Sequence, residues 1–204
     1  MRLLDFLFPP REDERLLRDT DEPTFCALVE PHAACQTDPA AIILLPFHER
    51  MVRAAIHEAK YHGSRHAFAL LAAALCDYLR TSAVPGKTTV IIPVPLGRKR
   101  LRDRGFNQAE RVARLAATSA TIRVHTTLLV RVRETTSQVS LPRHERHENM
   151  RGAFGAAHVL SPEEQRLHYI VLDDVLTTGA TLQAAIDALK DAGAQHVCAL
   201  ALAH

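Results

Sequence analysis

The sequence predicts an α/β fold, a doubly wound and mostly parallel sheet with a small irregular N-terminal appendage. From residue 85 onward, short β-branched or apolar runs alternate with segments of helical periodicity, which is typical of a parallel sheet covered by helices on both faces. The apolar run 169–172 leads through a polar, glycine-containing turn into an amphipathic stretch, as a strand, loop and helix would. We therefore expect an appendage over residues 1–45 and one main domain over residues 46–204.

Composition and charge exclude several classes of protein. The 204 residues carry 25 Lys plus Arg against 23 Asp plus Glu, a net charge of +2, so no global field demands a polyanionic partner. The longest apolar run, residues 67–76, is too short to cross a bilayer, and residues 1–8 run into Pro9 and Pro10 without the features of a signal peptide. We expect a cytoplasmic protein with no membrane span and with reduced cysteines.

The other elements follow from local patterns. Helical periodicity begins near Phe47 and ends at Gly63, a natural residue to follow a helix. Residues 131–152 form a long polar segment, which predicts a mobile loop that folds over a charged ligand. The remaining expectations are a buried helix over 67–80, a break at Pro85 and Gly86, strands over 88–95, 128–130 and 197–202, and a short strand or hairpin over 154–160.

Residues 98–104 are strongly basic, with five of the seven being Arg or Lys. Such a run is most often the solvated face of a helix. Here it follows the carboxyl end of a predicted strand, where α/β proteins place their ligand loops. The run therefore fits a pyrophosphate site better than solubility alone, and Asn107 is placed to cap the helix that follows.

The strongest indication of function lies at residues 173–181. Thr177, Thr178 and Thr181 offer hydroxyl donors, and Gly179 lets the backbone curl at the start of a helix, so the turn predicts a phosphate cradle. Asp173 and Asp174 would repel a phosphate, so they should face sugar hydroxyls or a hydrated magnesium ion. The alternative, an ordinary loop with polar caps, would not need two adjacent acids at a buried strand end.

This stretch resembles the phosphoribosyl-pyrophosphate (PRPP) loop of type I phosphoribosyltransferases: an apolar strand, two acids, two apolar residues and T-T-G-A-T. Three further stretches, residues 60–63, residues 93–96 with 104–108, and residues 133–141 with 146–154, resemble the ComF family of competence-associated phosphoribosyltransferase homologues. The resemblance covers nearly the whole chain, and the order of the motifs matches.

The resemblance implies a role for each matching residue. Asp173 and Asp174 would hold the ribose hydroxyls, with Mg²⁺ near them through water or PRPP. Arg104, with Arg100, would meet the pyrophosphate, while Arg133, Thr135 and Gln138 would lie on the mobile loop, Arg133 acting in catalysis with the two acids. The 5′-phosphate would be bound by Val175, Leu176, Thr177, Thr178, Gly179, Ala180 and Thr181.

The implied reaction is displacement of pyrophosphate from C1 of the ribose by a nitrogen of a nucleobase-like acceptor, whose identity the sequence does not give. No residue is obviously a general base, and the histidines that qualify by type are His57, His62, His66, His144 and His147. The alternatives are a non-catalytic PRPP-binding protein, or one associated with single-stranded DNA or competence proteins, and a paralogue that binds nothing. Phe106 is the one aromatic ring in the basic stretches, so base stacking is poorly supported.

The N-terminal region departs from the family pattern. Family members commonly carry a four-cysteine zinc knuckle, but residues 12–15 hold no cysteine where the first pair would stand. Only His32 and Cys35 have close spacing, and Cys26 is the other nearby ligand type. A structural zinc ion normally takes four ligands, so we expect no zinc at Cys26, His32 and Cys35.

Overall fold

The computed structural model describes residues 11–82, 88–120, 122–135 and 145–204. Its strands are β1 (His32–Ala34), β2 (Ala41–Leu45), β3 (Thr89–Pro93), β4 (Arg123–Val124), β5 (Leu129–Arg131), β6 (Phe154–Ala156), β7 (His168–Val175) and β8 (His196–Ala203). Its helices are α1 (Glu12–Arg18), α2 (Glu22–Cys26), α3 (Arg50–His62), α4 (Arg65–Thr81), α5 (Arg98–Arg104), α6 (Gln108–Ala120), α7 (Glu145–Met150), α8 (Pro162–Gln165) and α9 (Ala180–Asp191).

A six-stranded sheet in the order β1-β2-β8-β7-β3-β4 forms the centre of the molecule. Every pairing in it is parallel except that of β1 with β2. The predicted doubly wound, mostly parallel α/β fold is confirmed. β7 lies between β3 and β8, so the acids at its end stand at the middle of the sheet, where the carboxyl ends of parallel strands place a ligand crevice.

Side chains of the central strands alternate between two cores, because successive residues of a strand point to opposite faces. Ile91, Ile170 and Leu200 pack with α3, α4 and α6 on one face. Ile92 and Val171 pack with α9 and with the β5–β6 pair on the other. The predicted helices over 47–63 and 67–80 are present, and Gly63 follows α3 with φ of 61°.

The N-terminal region corrects the prediction of an irregular appendage ending at residue 45. β2 pairs in parallel with β8, with Ile42 opposite Leu200, and β1 extends the sheet beyond it. α1 and α2 pack on α3 and α4 and bury Leu17 and Phe25. The sheet therefore continues across the predicted boundary. The sequence pattern missed β2 because a five-residue apolar run shows no periodicity that distinguishes a strand.

The predicted polar loop over 131–152 also needs correction. Residues 145–150 form α7, which packs against α9. Residues 136–144 lie outside the described residues, as do residues 1–10, the predicted break at Pro85 and Gly86, and Gln138. The strand predicted at 128–130 is present as β5, but it pairs with β6 in a separate two-stranded sheet. Within the described ranges, no helix is long and apolar enough to cross a membrane.

Candidate functional site

The two acids at the end of β7 are held by the backbone that follows them. Asp173 Oδ1 accepts a hydrogen bond from the Asp174 N–H at 2.9 Å, and Asp174 Oδ1 accepts one from the Val175 N–H at 2.8 Å. Burial raises the pKa of Asp173 well above its ordinary value, and the charge of Asp174 raises it further. Ionised Asp173 is therefore poorly compensated, and a cation or hydroxyl donors would stabilise it.

Asp174 is the centre of a polar network that joins three helices. Lys60 Nζ on α3 lies 3.6 Å from Asp174 Oδ2. The side-chain amide of Gln108, at the start of α6, donates to the same oxygen. Arg104, at the end of α5, in turn donates to Gln108 Oε1. Lys60 and Gln108 had no predicted role, although both lie in the motifs that resemble the ComF family. Gln108 is buried, which the sequence alone does not indicate.

The threonine turn begins α9. Gly179 is the residue before the helix and has φ of 80°, a conformation that glycine adopts at little cost. Thr177 is exposed, Thr181 is half-buried and Thr178 is only 6% exposed. Among the residues that the structure describes, the buried Thr178 hydroxyl has no hydrogen-bond partner. A helix of 12 residues, with its first N–H groups directed at the turn, favours an anion there.

Three other segments fix the turn in place. The Leu176 N–H donates to the Ala203 carbonyl at 2.9 Å, and His204 Nδ1 donates to the Leu176 carbonyl at 2.9 Å. His147 Nε2 on α7 donates to the Thr178 carbonyl at 3.1 Å. The Gln36 carbonyl packs behind Gly179, so closely that a Cβ there would lie 2.4 Å from its oxygen. The turn is thus preorganised by β8, by α7 and by the β1–β2 connection.

The acids and the turn share one cavity of about 460 Å³, within the usual size range of small-molecule sites. The loop after β2, the first turn of α9 and one face of α3 complete its wall, and α7 contributes Arg146. The lining residues are Phe47, Arg53, Ile56, His57, Lys60, Tyr61, Arg146, Asp173, Asp174, Val175, Leu176, Thr177, Gly179, Ala180, Thr181 and Leu182.

The phosphoribosyl transferase domain family matches residues 65–204 of the chain. The chain belongs to this family. It is 33% identical to Competence protein F of Haemophilus influenzae over 107 residues, covering 52% of this chain and 46% of that protein. It is 35% identical over 92 residues to the DNA utilization protein YhgH of Salmonella typhi, covering 45% of this chain and 39% of that protein.

The YhgH protein of Escherichia coli O6:H1 is 34% identical over 92 residues, with the same shares covered. The matched segments thus span less than half the length of these curated relatives. Together with the domain match, they confirm the resemblance to ComF-family homologues of type I phosphoribosyltransferases.

In this phosphoribosyl transferase domain, the residues predicted for pyrophosphate lie on and around α5. Arg104 is half-buried, and burial lowers its pKa while the charge of Asp174 raises it. Arg100 and Thr135 line a second cavity of about 500 Å³. Arg131, at the end of β5, also lines it, as do Gly97, Glu134 and three further residues of α5. Burial also lowers the pKa of Arg131. The negative charges of Glu134 and Asp173 act in the opposite direction, but their effect is smaller. The basic cavity and the acid pair are therefore close enough to interact.

Arg133 does not line the cavity that contains the acids. Its guanidinium donates to the carbonyls of Asn149 and Arg151, at 3.0 and 2.6 Å, and so holds the end of α7. The Thr135 hydroxyl accepts from Arg131 and lies 3.7 Å from Met150 Sδ. The structure does not bring Arg133 to the acids as the resemblance implied, because its side chain donates to carbonyls at the end of α7.

The N-terminal residues of types that can bind zinc are Cys26, His32 and Cys35. Cys26 ends α2 and packs against the core, His32 lies in β1 and Cys35 is exposed. Within the described part of the chain, these three residues do not form a group whose ligand atoms all lie within 4.8 Å of one another.

The aromatic ring of Phe106, in the basic stretch, packs edge-on against Phe68, with ring centroids 5.6 Å apart. This packing explains its presence beside the basic run.

Proposed function

We propose that this chain binds PRPP in the 460 Å³ cavity and transfers its phosphoribosyl group to a nitrogen acceptor, releasing pyrophosphate. One observation carries the proposal: an acid pair at the end of a central strand shares a cavity with the turn at a helix N-terminus, whose Thr177, Gly179 and Thr181 line that cavity. The hydroxyls of the two threonines and the first N–H groups of the helix would donate to a phosphate oxygen there. The membership in the phosphoribosyl transferase domain family supports this assignment.

The residues present fit the implied ligands. The turn would supply hydroxyls and helix N–H groups to the 5′-phosphate, because Gly179, the residue before α9, lets the backbone approach closely. Asp173 and Asp174 would accept hydrogen bonds from the ribose hydroxyls. The raised pKa of Asp173 fits a carboxylate that gains from a nearby cation, and carboxylates are the ligands that Mg²⁺ prefers. Mg²⁺ would supply charge neutralisation to the departing pyrophosphate.

The chain's own residues would then act on charge and orientation. Lys60 and Gln108 hold Asp174 in one orientation, so the ribose would meet a fixed acceptor. Arg104 and Arg131 provide positive charge in partly buried surroundings, where it stabilises a developing anion more than in water. The exposed Arg100 adds a further positive charge on α5. The preorganised turn adds binding energy remote from the reacting C1, which can be used to orient the ribose.

The test is a thermal shift with PRPP and Mg²⁺. Ligand at a hundredfold its dissociation constant stabilises the folded state by about 2.7 kcal/mol, and Asp173→Asn with Asp174→Asn should abolish the rise in melting temperature. The matched control is Asp187→Asn with Asp191→Asn, which removes two exposed carboxylates from α9 and should keep the rise. An equal rise in both double variants would refute the assignment. Pyrophosphate release from PRPP, screened with nucleobases, would then test the transfer.

A second candidate is binding of single-stranded DNA along α5, with or without other competence proteins. The names of the similar proteins, which refer to competence and to DNA utilization, favour it, and Arg98, Lys99 and Arg102 are exposed on that helix. Since Phe106 packs inside, recognition would rest on the phosphate backbone. Replacing these three cations with alanine should then lower the salt dependence of DNA binding by about one unit per lost contact.

A further inference from the structure

One face of α3 forms part of the cavity wall, and so far only Lys60 on it has a role. Arg53, His57 and Tyr61 recur at four-residue spacing and all line the cavity, as residues on one side of a helix do. The rings of His57 and Tyr61 lie 4.9 Å apart between centroids, and Tyr61 is 62% exposed. An exposed aromatic ring at a phosphoribosyl site offers a flat surface on which a planar heterocycle can stack.

Asp13 on α1 fixes the orientation of His57. Its Oδ2 lies 3.0 Å from His57 Nδ1. A carboxylate accepts the hydrogen bond, so the neutral imidazole carries its proton on Nδ1 and its lone pair on Nε2. α1 packs along α3, and Arg11 beside it donates to both carboxylate oxygens of the buried Glu58 at 2.8 and 2.7 Å. Asp13 is thus presented by a helix that is itself anchored.

The other charged groups around His57 are engaged elsewhere. Glu58 is bound by Arg11, and His62, whose ring centroid lies 5.5 Å from that of His57, has its Nε2 3.9 Å from Glu58. Lys60 faces Asp174, and Arg53 donates to the His48 carbonyl at 3.1 Å. Of the histidines within the described ranges, His57 is the one that lines the cavity with the acid pair.

We propose that His57 is the proton acceptor of the transfer reaction and that Asp13 is its positioning residue; this inference rests on the proposed function. A ring nitrogen of the acceptor, a planar heterocycle such as a nucleobase, forms the bond to C1 of the ribose. The bond from C1 to the pyrophosphate oxygen breaks, and its electron pair leaves with pyrophosphate. The proton of the acceptor nitrogen moves to His57 Nε2, and the imidazolium then returns it to solvent.

The experiment compares His57→Gln and Asp13→Asn with a matched control, His158→Gln. His158 also pairs with a carboxylate, Glu164 at 3.2 Å, and its side chain is 48% exposed like that of His57, but it lies outside the cavity. PRPP affinity is measured by calorimetry. Pyrophosphate release is measured with adenine, guanine, hypoxanthine and uracil, and with water alone as acceptor.

General base catalysis contributes about 10²- to 10⁴-fold, so His57→Gln should lower kcat by about 100-fold or more with PRPP affinity unchanged. Asp13→Asn should lower kcat by about tenfold or more but by no more than His57→Gln does, since the imidazole remains but is no longer held in one tautomer. His158→Gln should leave kcat unchanged. At saturating PRPP, kcat of the wild type should fall as pH is lowered, because imidazolium accepts no proton, and this fall should be absent from His57→Gln.

Other outcomes overturn the inference. A decline of kcat at low pH that survives in His57→Gln would assign the proton to another group, such as Asp173. A loss of stability without a loss of kcat would make the Asp13–His57 pair a tether between α1 and α3. Failure of the wild type to release pyrophosphate with any base or with water, while it still binds PRPP, would remove the step but keep the ligand assignment. Failure to bind PRPP would remove the proposed function itself.

Discussion

Replacing Gly179 with alanine tests the close contact behind the threonine turn. Two costs add. Alanine in the left-handed conformation, at φ of 80°, costs about 1–2 kcal/mol. Alanine also reduces the conformational entropy of the unfolded chain, which offsets about 0.4–1 kcal/mol of that cost. The added Cβ would lie 2.4 Å from the Gln36 carbonyl oxygen, and relieving such overpacking by backbone movement costs about 1–3 kcal/mol. We expect Gly179→Ala to lower the free energy of unfolding by about 2–4 kcal/mol.

Gly105 provides the control, because it has the same φ of 80° and ψ of −10° but no atom within 4 Å of an added Cβ. Gly105→Ala therefore carries only the conformational cost, about 1 kcal/mol. Urea unfolding with an unchanged m-value should place the two variants about 2 kcal/mol apart, equivalent to about 4–8 °C in melting temperature for a chain of this size. Equal losses would show that the Gln36 carbonyl moves aside without cost and does not brace the turn.

Three further experiments address the charged groups. Because folding raises the pKa of Asp173, the folded state binds that proton more tightly, and the free energy of unfolding should decline as pH rises above about 4. Asp173→Asn should remove this decline and should unfold at a higher urea concentration than the wild type at neutral pH. Asp187→Asn should keep the decline and should unfold at the same urea concentration as the wild type. Arg11→Ala leaves Glu58, 1% exposed, without its counter-ion and should cost about 2–4 kcal/mol, while Arg50→Ala at an exposed pair should cost about 0.5 kcal/mol or less. Arg104→Ala should weaken PRPP far more than ribose 5-phosphate in calorimetry if the basic residues meet the pyrophosphate, and equal weakening would exclude that role.

Local chemistry made much of the site predictable. The acid pair, the threonine turn and Gly63 follow from residues adjacent in sequence, because capping, turn geometry and a strand end are determined within a few residues. The network on Asp174 could not be predicted in the same way. Gln108 lies 66 positions away from it, and nothing in the periodicity of α6 indicates which strand end its first turn meets. The contacts of Arg133 with the end of α7 were not predictable for the related reason that a basic residue in a polar segment has no local indication of its partner.

Strand β2 was the main omission of the fold prediction, and it determines how the chain can be divided. The family match begins at residue 65, so a fragment cut there would lack β1, β2 and α3. β8 would then become an edge strand: it would keep its pairing with β7, but the backbone groups of its largely apolar residues that face β2 would be unpaired. Such an edge is a template for pairing between molecules. The short, largely exposed β1 ends the sheet on this side, so we expect a fragment without the residues before the match to aggregate more readily.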